Sequence, residues 1–314
     1  MKKPFVSIIL TCYNFENYIC SSIESILNQT VNFDIELIIV DDASRDSSPL
    51  IISKFKGDSR VIIVLESINQ GAAKSVNKAF KLATGKYICR FDGDDFWKPN
   101  FLTEMISFLE NNLTLGMAYC NCSYINNLDV VTNENVITRR KKNEHIAYEF
   151  EDLINDYYIT APTLVFRKDI LNNIFPIPME YNYLDWYLSL SVSLNHPIGY
   201  LNKDLAFYRI HQNGMHVTMI ANKNGEETTF KIIEHFSKLR IFNAEKIKNL
   251  KGIYYYRFAH NYFGQGLYRD ARRCFKKYIL TDFKHLFNIK VIRLYFSSYL
   301  DKYYLPLKSK LNIK

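Results

Sequence analysis

Between residues 5 and 91, short β-branched runs alternate with stretches of helical spacing, and this alternation leaves the chain few folds to choose from. Phe5–Leu10, Glu36–Val40, Val61–Leu65 and Tyr87–Phe91 read as strands. Between them, Tyr18–Leu27 puts Ile19, Ile23, Ile26 and Leu27 on one helical face, behind capping candidates from Asn14 to Asn17. Pro49 suits the first turn of a second helix, and Ala72–Ala83 reads as a third, stopped by Gly85. Repeated strand–helix–strand units predict an α/β fold with a mostly parallel central sheet and helices on both faces. Ligands of such sheets bind outside the carboxyl ends of the strands.

From about 116 to 210 the pattern is mixed: Gly116–Ile125 and Thr163–Arg167 read as strands, Tyr183–Leu194 as a helix and Leu205–Arg209 as a short strand. Beyond 221 the chain reads as helical. Tyr256–Leu280 is similar to one tetratricopeptide-type hairpin turned at Gly264–Gly266, without the repeats a solenoid needs. Charge divides at the same place. The chain has 40 Lys+Arg and 32 Asp+Glu, net +8. Residues 1–220 hold 20 basic and 25 acidic side chains (−5), and residues 221–314 hold 20 and 7 (+13). The expected organisation is one catalytic domain over 1–220, with halves at about 1–123 and 124–220, and a basic helical appendage over 221–314.

No apolar run reaches the 18 or so residues of a membrane span. Met1-Lys2-Lys3-Pro4 leads directly into a strand without the features of a secretory signal, so a cytoplasmic location is expected. The six cysteines are scattered, none at zinc-site spacing, and are expected to be reduced packing residues. No glycine precedes Gly57, so the turn after the first strand, Thr11-Cys12-Tyr13-Asn14-Phe15, is neither a GxGxxG turn nor a Walker A loop. Ordinary dehydrogenases, P-loop enzymes and nucleotidyltransferases with a glycine-rich phosphate loop are disfavoured.

Polar groups stand at the strand ends instead. Thr11 and Tyr13 follow the first strand and offer a hydroxyl and an aromatic face to a base; Asp41-Asp42 follow the second, and Asp92-Gly93-Asp94-Asp95 the fourth. On adjacent parallel strands these ends share one edge of the sheet, so the carboxylates converge and call for a cation. Asp92 and Asp94, two residues apart, can face the same side. One or two carboxylates, completed by substrate phosphate and water, are what Mg²⁺ or Mn²⁺ takes. Taken alone, the DGDD run also reads as an acidic turn before a helix.

The strings VSIILTCYNFENYICSSIESILNQT, IELIIVDDASRDSS and NQGAAKSVNKAFKLATGKYICRFDGDDFWKP together resemble the N-terminal half of inverting family-2 glycosyltransferases with the GT-A fold. The resemblance is close over residues 4–123 and looser over 160–214. It implies a nucleotide-diphosphate sugar donor, UDP-linked by expectation, and a divalent metal, Mn²⁺ or Mg²⁺. It further implies that Thr11 and Tyr13 bracket the nucleobase, that Asp41 accepts a hydrogen bond from it, and that Lys74 lies near base or diphosphate. Asp92 would contact the donor ribose or sugar, Asp94 would ligate the metal, and Asp92 and Asp95 are the alternatives for that role.

In the second half, Tyr183-Leu184-Asp185-Trp186-Tyr187 resembles the family's acidic motif, whose aspartate is the general base; that makes Asp185 the catalytic residue. The family commonly has Glu where Leu184 stands. Tyr208-Arg209-Ile210-His211 resembles its Y-R-x-H segment, which implies His211 as a metal ligand or diphosphate contact and Arg209 at the leaving phosphate. His216 is a weaker candidate. The resemblance also implies a glycan or lipid-linked acceptor. The basic tail, with aromatic residues at Leu294–Tyr299 and Tyr303-Tyr304-Leu305, suits an anionic membrane surface at the inner face or a solvated helix face equally, and no nucleic-acid module is evident. A nucleotide-binding scaffold that has lost transfer and works through its tail is the competing reading, hinted at only by Leu184.

Overall fold

The structure, a computed structural model, describes residues 3–137, 143–211, 214, 223–287 and 289–299. Two compact units divide the chain, Met1–Gly214 and Met215–Lys314. The boundary expected near residue 220, His216 and Tyr303-Tyr304-Leu305 lie outside the described residues.

The first unit is built on a mixed sheet. Its strands are β1 (Val6–Cys12), β2 (Ile35–Asp41), β3 (Val61–Leu65), β4 (Tyr87–Asp92), β5 (Phe96–Trp97), β6 (Met117–Ile125), β7 (Val131–Asn133), β8 (His145–Ala147), β9 (Leu164–Arg167) and β10 (Ile198–Arg209). They run in the order β3-β2-β1-β4-β9-β6-β10-β5, with β7 on β6 and β8 on β10. β3, β2, β1 and β4 are parallel, as the strand–helix alternation predicts, and β6 and β10 are parallel too. β9 joins these halves antiparallel to both β4 and β6, and the other short strands are also antiparallel. Most of the pairing is parallel, as expected, and short antiparallel strands complete the sheet in its second half.

Alternation along the strands sorts side chains between the two faces. Val6, Ile8, Leu10 and Cys12 enter a core with Ile35, Leu37 and Ile39, closed by Ile19, Ile23 and Ile26 of α1 (Ile19–Leu27), Ile52 of α2 (Ser48–Ser53) and Phe101, Leu102, Met105 and Leu109 of α4 (Phe101–Asn111). α3 (Ala72–Leu82) packs on β1 and β2 through its buried stripe Ala73, Val76, Ala79 and Phe80. Asn77 of this helix latches the second half: its Nδ2 donates to the Ile177 carbonyl and its Oδ1 accepts from the Ile177 N–H, each at 2.8 Å. Two further short helices, α5 (Phe150–Asn155) and α6 (Lys168–Leu171), precede α7 (Leu184–Ser193).

The second unit is helical as expected: α8 (Asn224–Lys238), α9 (Ala244–Gly264), α10 (Tyr268–Thr281) and α11 (Ile289–Ser297). Asn243 caps α9 by accepting from the Lys246 N–H, and Gly266, at φ 74°, supplies the left-handed residue that turns α9 into α10. Buried Glu226 is held by Arg273 at 2.7 and 2.5 Å and by Tyr262 at 3.1 Å. No described helix is long and apolar enough to cross a membrane. All six cysteines are free, five of them buried, and burial pushes thiols such as Cys12 and Cys122 up to about 12.

Candidate active site

The turns after β1 and β2 stand without glycine because their side chains lock each other's backbone. Ser44 Oγ accepts from the Asn14 N–H and Asn14 Oδ1 from the Arg45 N–H, at 2.9 and 2.8 Å. Asp46 accepts from Glu16 N–H, Glu16 from Ser47 N–H, and Ser48 from Phe15 N–H. Asn14 and Ala43 both hold φ near 60°, a strained conformation for residues with a side chain, which this lattice maintains. It leaves Tyr13 39% exposed at the open end of β1, while Thr11 is nearly buried.

The two aspartates at the end of β2 do different work. Asp41 is 1% exposed, and its two oxygens accept from the Ser44 N–H at 2.9 Å and the Ser44 hydroxyl at 2.5 Å. It shapes the Asp41–Ser44 turn at the end of β2, where the resemblance implies a contact with the base. Asp42 accepts from the N–H groups of Gln70 and Gly71, each at 2.8 Å, and so fixes the entry to α3. Gly71, at φ 87°, is the N-cap of that helix. Lys74 follows in the first turn with an exposed side chain.

At the end of β4, Gly93 is required for packing: a Cβ there would lie 2.9 Å from Ile19 Cδ1 and 3.2 Å from the Thr11 carbonyl. Its N–H donates to that carbonyl, which seats the Asp92–Asp95 turn against β1. Asp92 Oδ1 accepts from Arg90 Nη2 at 2.6 Å and from the Thr11 hydroxyl at 3.2 Å. Asp94 Oδ2 stands 3.0 Å from His211 Nε2. Asp95 is 1% exposed, with Oδ1 accepting from the Arg209 N–H at 2.8 Å and Oδ2 without a partner among the described residues. Burial pushes the Asp95 carboxyl well above the usual range, with the Asp94 and Asp92 charges adding to it; burial likewise raises Asp92 against the opposing pull of Arg90.

Arg209, which the resemblance implies at the leaving phosphate, is engaged by protein groups on several sides. It is 3% exposed; its Nε donates to the Asp94 carbonyl at 2.7 Å, and its Nη1 donates to the Asn126 carbonyl at 2.8 Å and pairs with Asp129 at 2.6 Å. Its guanidinium also stacks over the Tyr18 ring, 4.4 Å from the centroid. These bonds tie β10 to the Asp94–Asp95 turn, and the next residue but one, His211, is thereby delivered to Asp94.

Asp185 opens α7, where exposed backbone N–H groups favour a carboxylate. Burial raises its carboxyl; the Arg90 charge, the backbone N–H groups of Asp185 and Trp186, and the Tyr157 hydroxyl oppose that rise. A carboxylate lifted in this way is a stronger proton acceptor than an ordinary aspartate. Leu184 points into the core, at 0% exposure, so the position before Asp185 presents no acid to the site. Thr11, Asp92, Asp94, Asp185 and His211 thus converge on one edge, while Asp41 and Arg209 hold its walls. The sequence reading missed Arg90, whose signal is a charge inside the apolar run Tyr87–Phe91, and Tyr157, which carries none.

Among the described residues, no three His, Cys, Asp or Glu side chains form a complete metal cage. Asp94 and His211, with Asp92 beside them, are the side chains that would hold an ion completed by phosphate oxygens and water. The Asp94–His211 separation of 3.0 Å is that of a hydrogen bond between the two side chains.

A family model described as "Glycosyl transferase family 2" matches residues 7–175. An uncharacterized glycosyltransferase of Haemophilus influenzae is 31% identical over 271 residues, covering 84% of this chain and 98% of that protein. The Escherichia coli protein named UDP-Glc:alpha-D-GlcNAc-diphosphoundecaprenol beta-1,3-glucosyltransferase WfgD is 32% identical over 204 residues, 64% of this chain and 75% of its own length. Among solved structures, S. aureus TarS aligns with a TM-score of 0.61 at 17% identity, over 88% of this chain; the chain spans about half (49%) of TarS. TarS 1–349 in complex with UDP-GlcNAc aligns at 0.58 and 18% identity, over 96% of this chain and 92% of that fragment.

Proposed function

The chain belongs to glycosyl transferase family 2, with the GT-A fold, and is a glycosyltransferase; on that premise we propose that it transfers a sugar, with inversion and with metal assistance, from a UDP-linked donor to a glycan or lipid-linked acceptor in surface polysaccharide synthesis. The observation that carries this reading is the convergence of Asp94 and His211 with Asp92 and the half-buried Asp185 on one sheet edge. The choice of a UDP-sugar is supported by the UDP-Glc in WfgD's name and the UDP-GlcNAc bound to TarS 1–349. The name of WfgD also supports a diphospho-lipid acceptor.

In this reading Thr11 and Tyr13 line the base end of the donor site, Lys74 reaches its diphosphate, and Asp92 receives the ribose or sugar hydroxyls. Asp94 and His211 would hold Mn²⁺ or Mg²⁺, which would neutralise charge on the departing diphosphate. Asp185 Oδ takes the acceptor hydroxyl proton as that oxygen bonds to the anomeric carbon. The bond from that carbon to the diphosphate breaks on the opposite side, so the configuration inverts. The basic second unit, with Ile289, Phe296 and Tyr299 exposed on or next to α11, serves an anionic membrane surface near the acceptor.

Thermal shift against UDP-, GDP- and dTDP-sugars, with and without Mn²⁺, tests the donor assignment, since a ligand that binds only the folded state raises Tm. A metal-dependent rise with UDP-sugars is expected. A response to GDP- or dTDP-sugars alone would overturn the uridine assignment.

A further inference from the structure

The turn between β1 and α1 reaches the Asp94–His211 pair with two aromatic rings to which the proposed mechanism gives no role. The His211 side chain is 6% exposed, and its Nε2 faces Asp94 Oδ2 at 3.0 Å. A metal-ligating histidine is ordinarily oriented by a hydrogen bond from its other ring nitrogen to a carboxylate or carbonyl oxygen. His211 Nδ1 makes no such bond among the described residues.

Rings flank the imidazole instead. The Tyr18 ring lies 5.1 Å from it, centroid to centroid, at an interplanar angle of 59°, and the Phe15 ring lies 6.2 Å away at 73°. Both arrangements are those of attracting aromatic pairs. Tyr18 is itself held by the Arg209 guanidinium, 4.4 Å from its ring centroid, so one half-buried ring meets two side chains of the chain leaving β10. The Tyr18 hydroxyl makes no hydrogen bond among the described residues, which leaves the ring as its contact surface.

The turn that carries the rings is fixed. The Phe15 N–H donates to Ser48 Oγ at 2.9 Å, and the Phe15 carbonyl accepts from the N–H groups of Tyr18 and Ile19 at 2.9 and 2.8 Å. Phe15 also packs on the Asp92–Asp95 turn, where a Cβ on Gly93 would come within 3.2 Å of its Cδ2.

We propose that Tyr18, backed by Phe15, is a positioning residue whose ring seats the His211 imidazole against Asp94, so that a turn in the first half of the fold orients a residue beyond the last core strand. The proposal rests on the reading of Asp94 and His211 as the metal-holding pair and goes beyond it. One turn then serves both ends of the donor site, with Tyr13 at its start for the base and Tyr18 at its end for the metal pair.

The test compares Y18F, Y18L, H211A and the double variant Y18L/H211A in the full chain. Mn²⁺ is titrated in the presence of UDP with free Mn²⁺ read by its EPR signal, and Tm is measured without metal. Y18L should weaken Mn²⁺ binding about 10-fold, the lower end of what losing an outer partner of a ligating histidine costs. Y18F, which keeps the ring, should bind as wild type does. Once His211 is gone Tyr18 has nothing to seat, so Y18L/H211A should bind as H211A does. A folded Y18L with wild-type affinity beside an impaired H211A overturns the proposal and leaves the metal pair standing, whatever its Tm. A Y18L loss that recurs in full on the H211A background, or an equal loss in Y18F, also overturns it. A wild type that takes up no Mn²⁺, or an H211A that binds it as wild type does, overturns the metal reading and the proposal with it. Should Y18L fail to fold, Y18M provides the same comparison.

Discussion

His211 Nε2 stands 3.0 Å from Asp94 Oδ2, joining the residue just beyond the last core strand to the turn after β4 across 117 positions of sequence. Both side chains are mostly buried, and Arg209 holds the two segments together from behind. If this pair is the protein's share of a metal site, D94N should abolish the Tm rise caused by Mn²⁺ with UDP, and H211A should weaken it. Transfer should fall on the order of 100-fold or more in D94N, in line with the loss of one preorganised charge-stabilising group. An unchanged Mn²⁺ response in both variants would remove these residues from the site.

With Asp185 as the proposed base, its ionisation should set the acid limb of activity. Its carboxyl is lifted by burial, so the ionised base appears at a higher pH than an ordinary aspartate near 4 would give. The kcat profile should therefore fall as pH drops through a value above that range. An acid limb at or below pH 4 would contradict the assignment.

Asp95 makes a stability prediction with a definite sign. Its folded-state carboxyl lies well above the unfolded value, so the folded form binds the proton more tightly. That contribution is full below the unfolded pKa and is lost as pH rises toward the folded one. D95N has no such loss. Denaturant unfolding without divalent ions should show D95N gaining on wild type as pH rises from 4 to 7; a gap that does not change with pH would refute this.

Arg209 should matter as a strut. R209M removes the bonds to the Asp94 and Asn126 carbonyls, and a destabilisation of about 3 kcal/mol is expected for breaking a buried charged network. N77A, which leaves the Ile177 N–H and carbonyl without their partner, should lower stability by about 1–3 kcal/mol. Urea unfolding measures both.

The parallel half of the sheet was readable because its signals are local: β-branched runs ended by polar residues gave β1, β2, β3 and β4 to within two residues. β9 was located as a strand, but its antiparallel place between β4 and β6 was not, since pairing depends on residues far along the chain. The two-residue β5 is too short for any periodicity. In the site, the Asp92–Asp95 run announced itself, whereas Asp41 and Asp42 look alike in sequence and part only in the turn, one taken by Ser44 and the other by Gln70 and Gly71. The carbonyl partners of Arg209, 83 and 115 residues away, leave no mark on the neighbouring sequence. Arg90 was missed, although it stands as a charge two residues before Asp92 in an apolar strand.

The central claim, inverting transfer with Asp185 as base, is tested most directly by NMR of the product formed from α-linked UDP-glucose and a GlcNAc-diphospho-lipid analogue. Wild type should give a β-linked product, and D185N should bind UDP-glucose but form product more than 100-fold more slowly, within the range attributed to general base catalysis. An α-linked product, or wild-type turnover by D185N, would contradict the account.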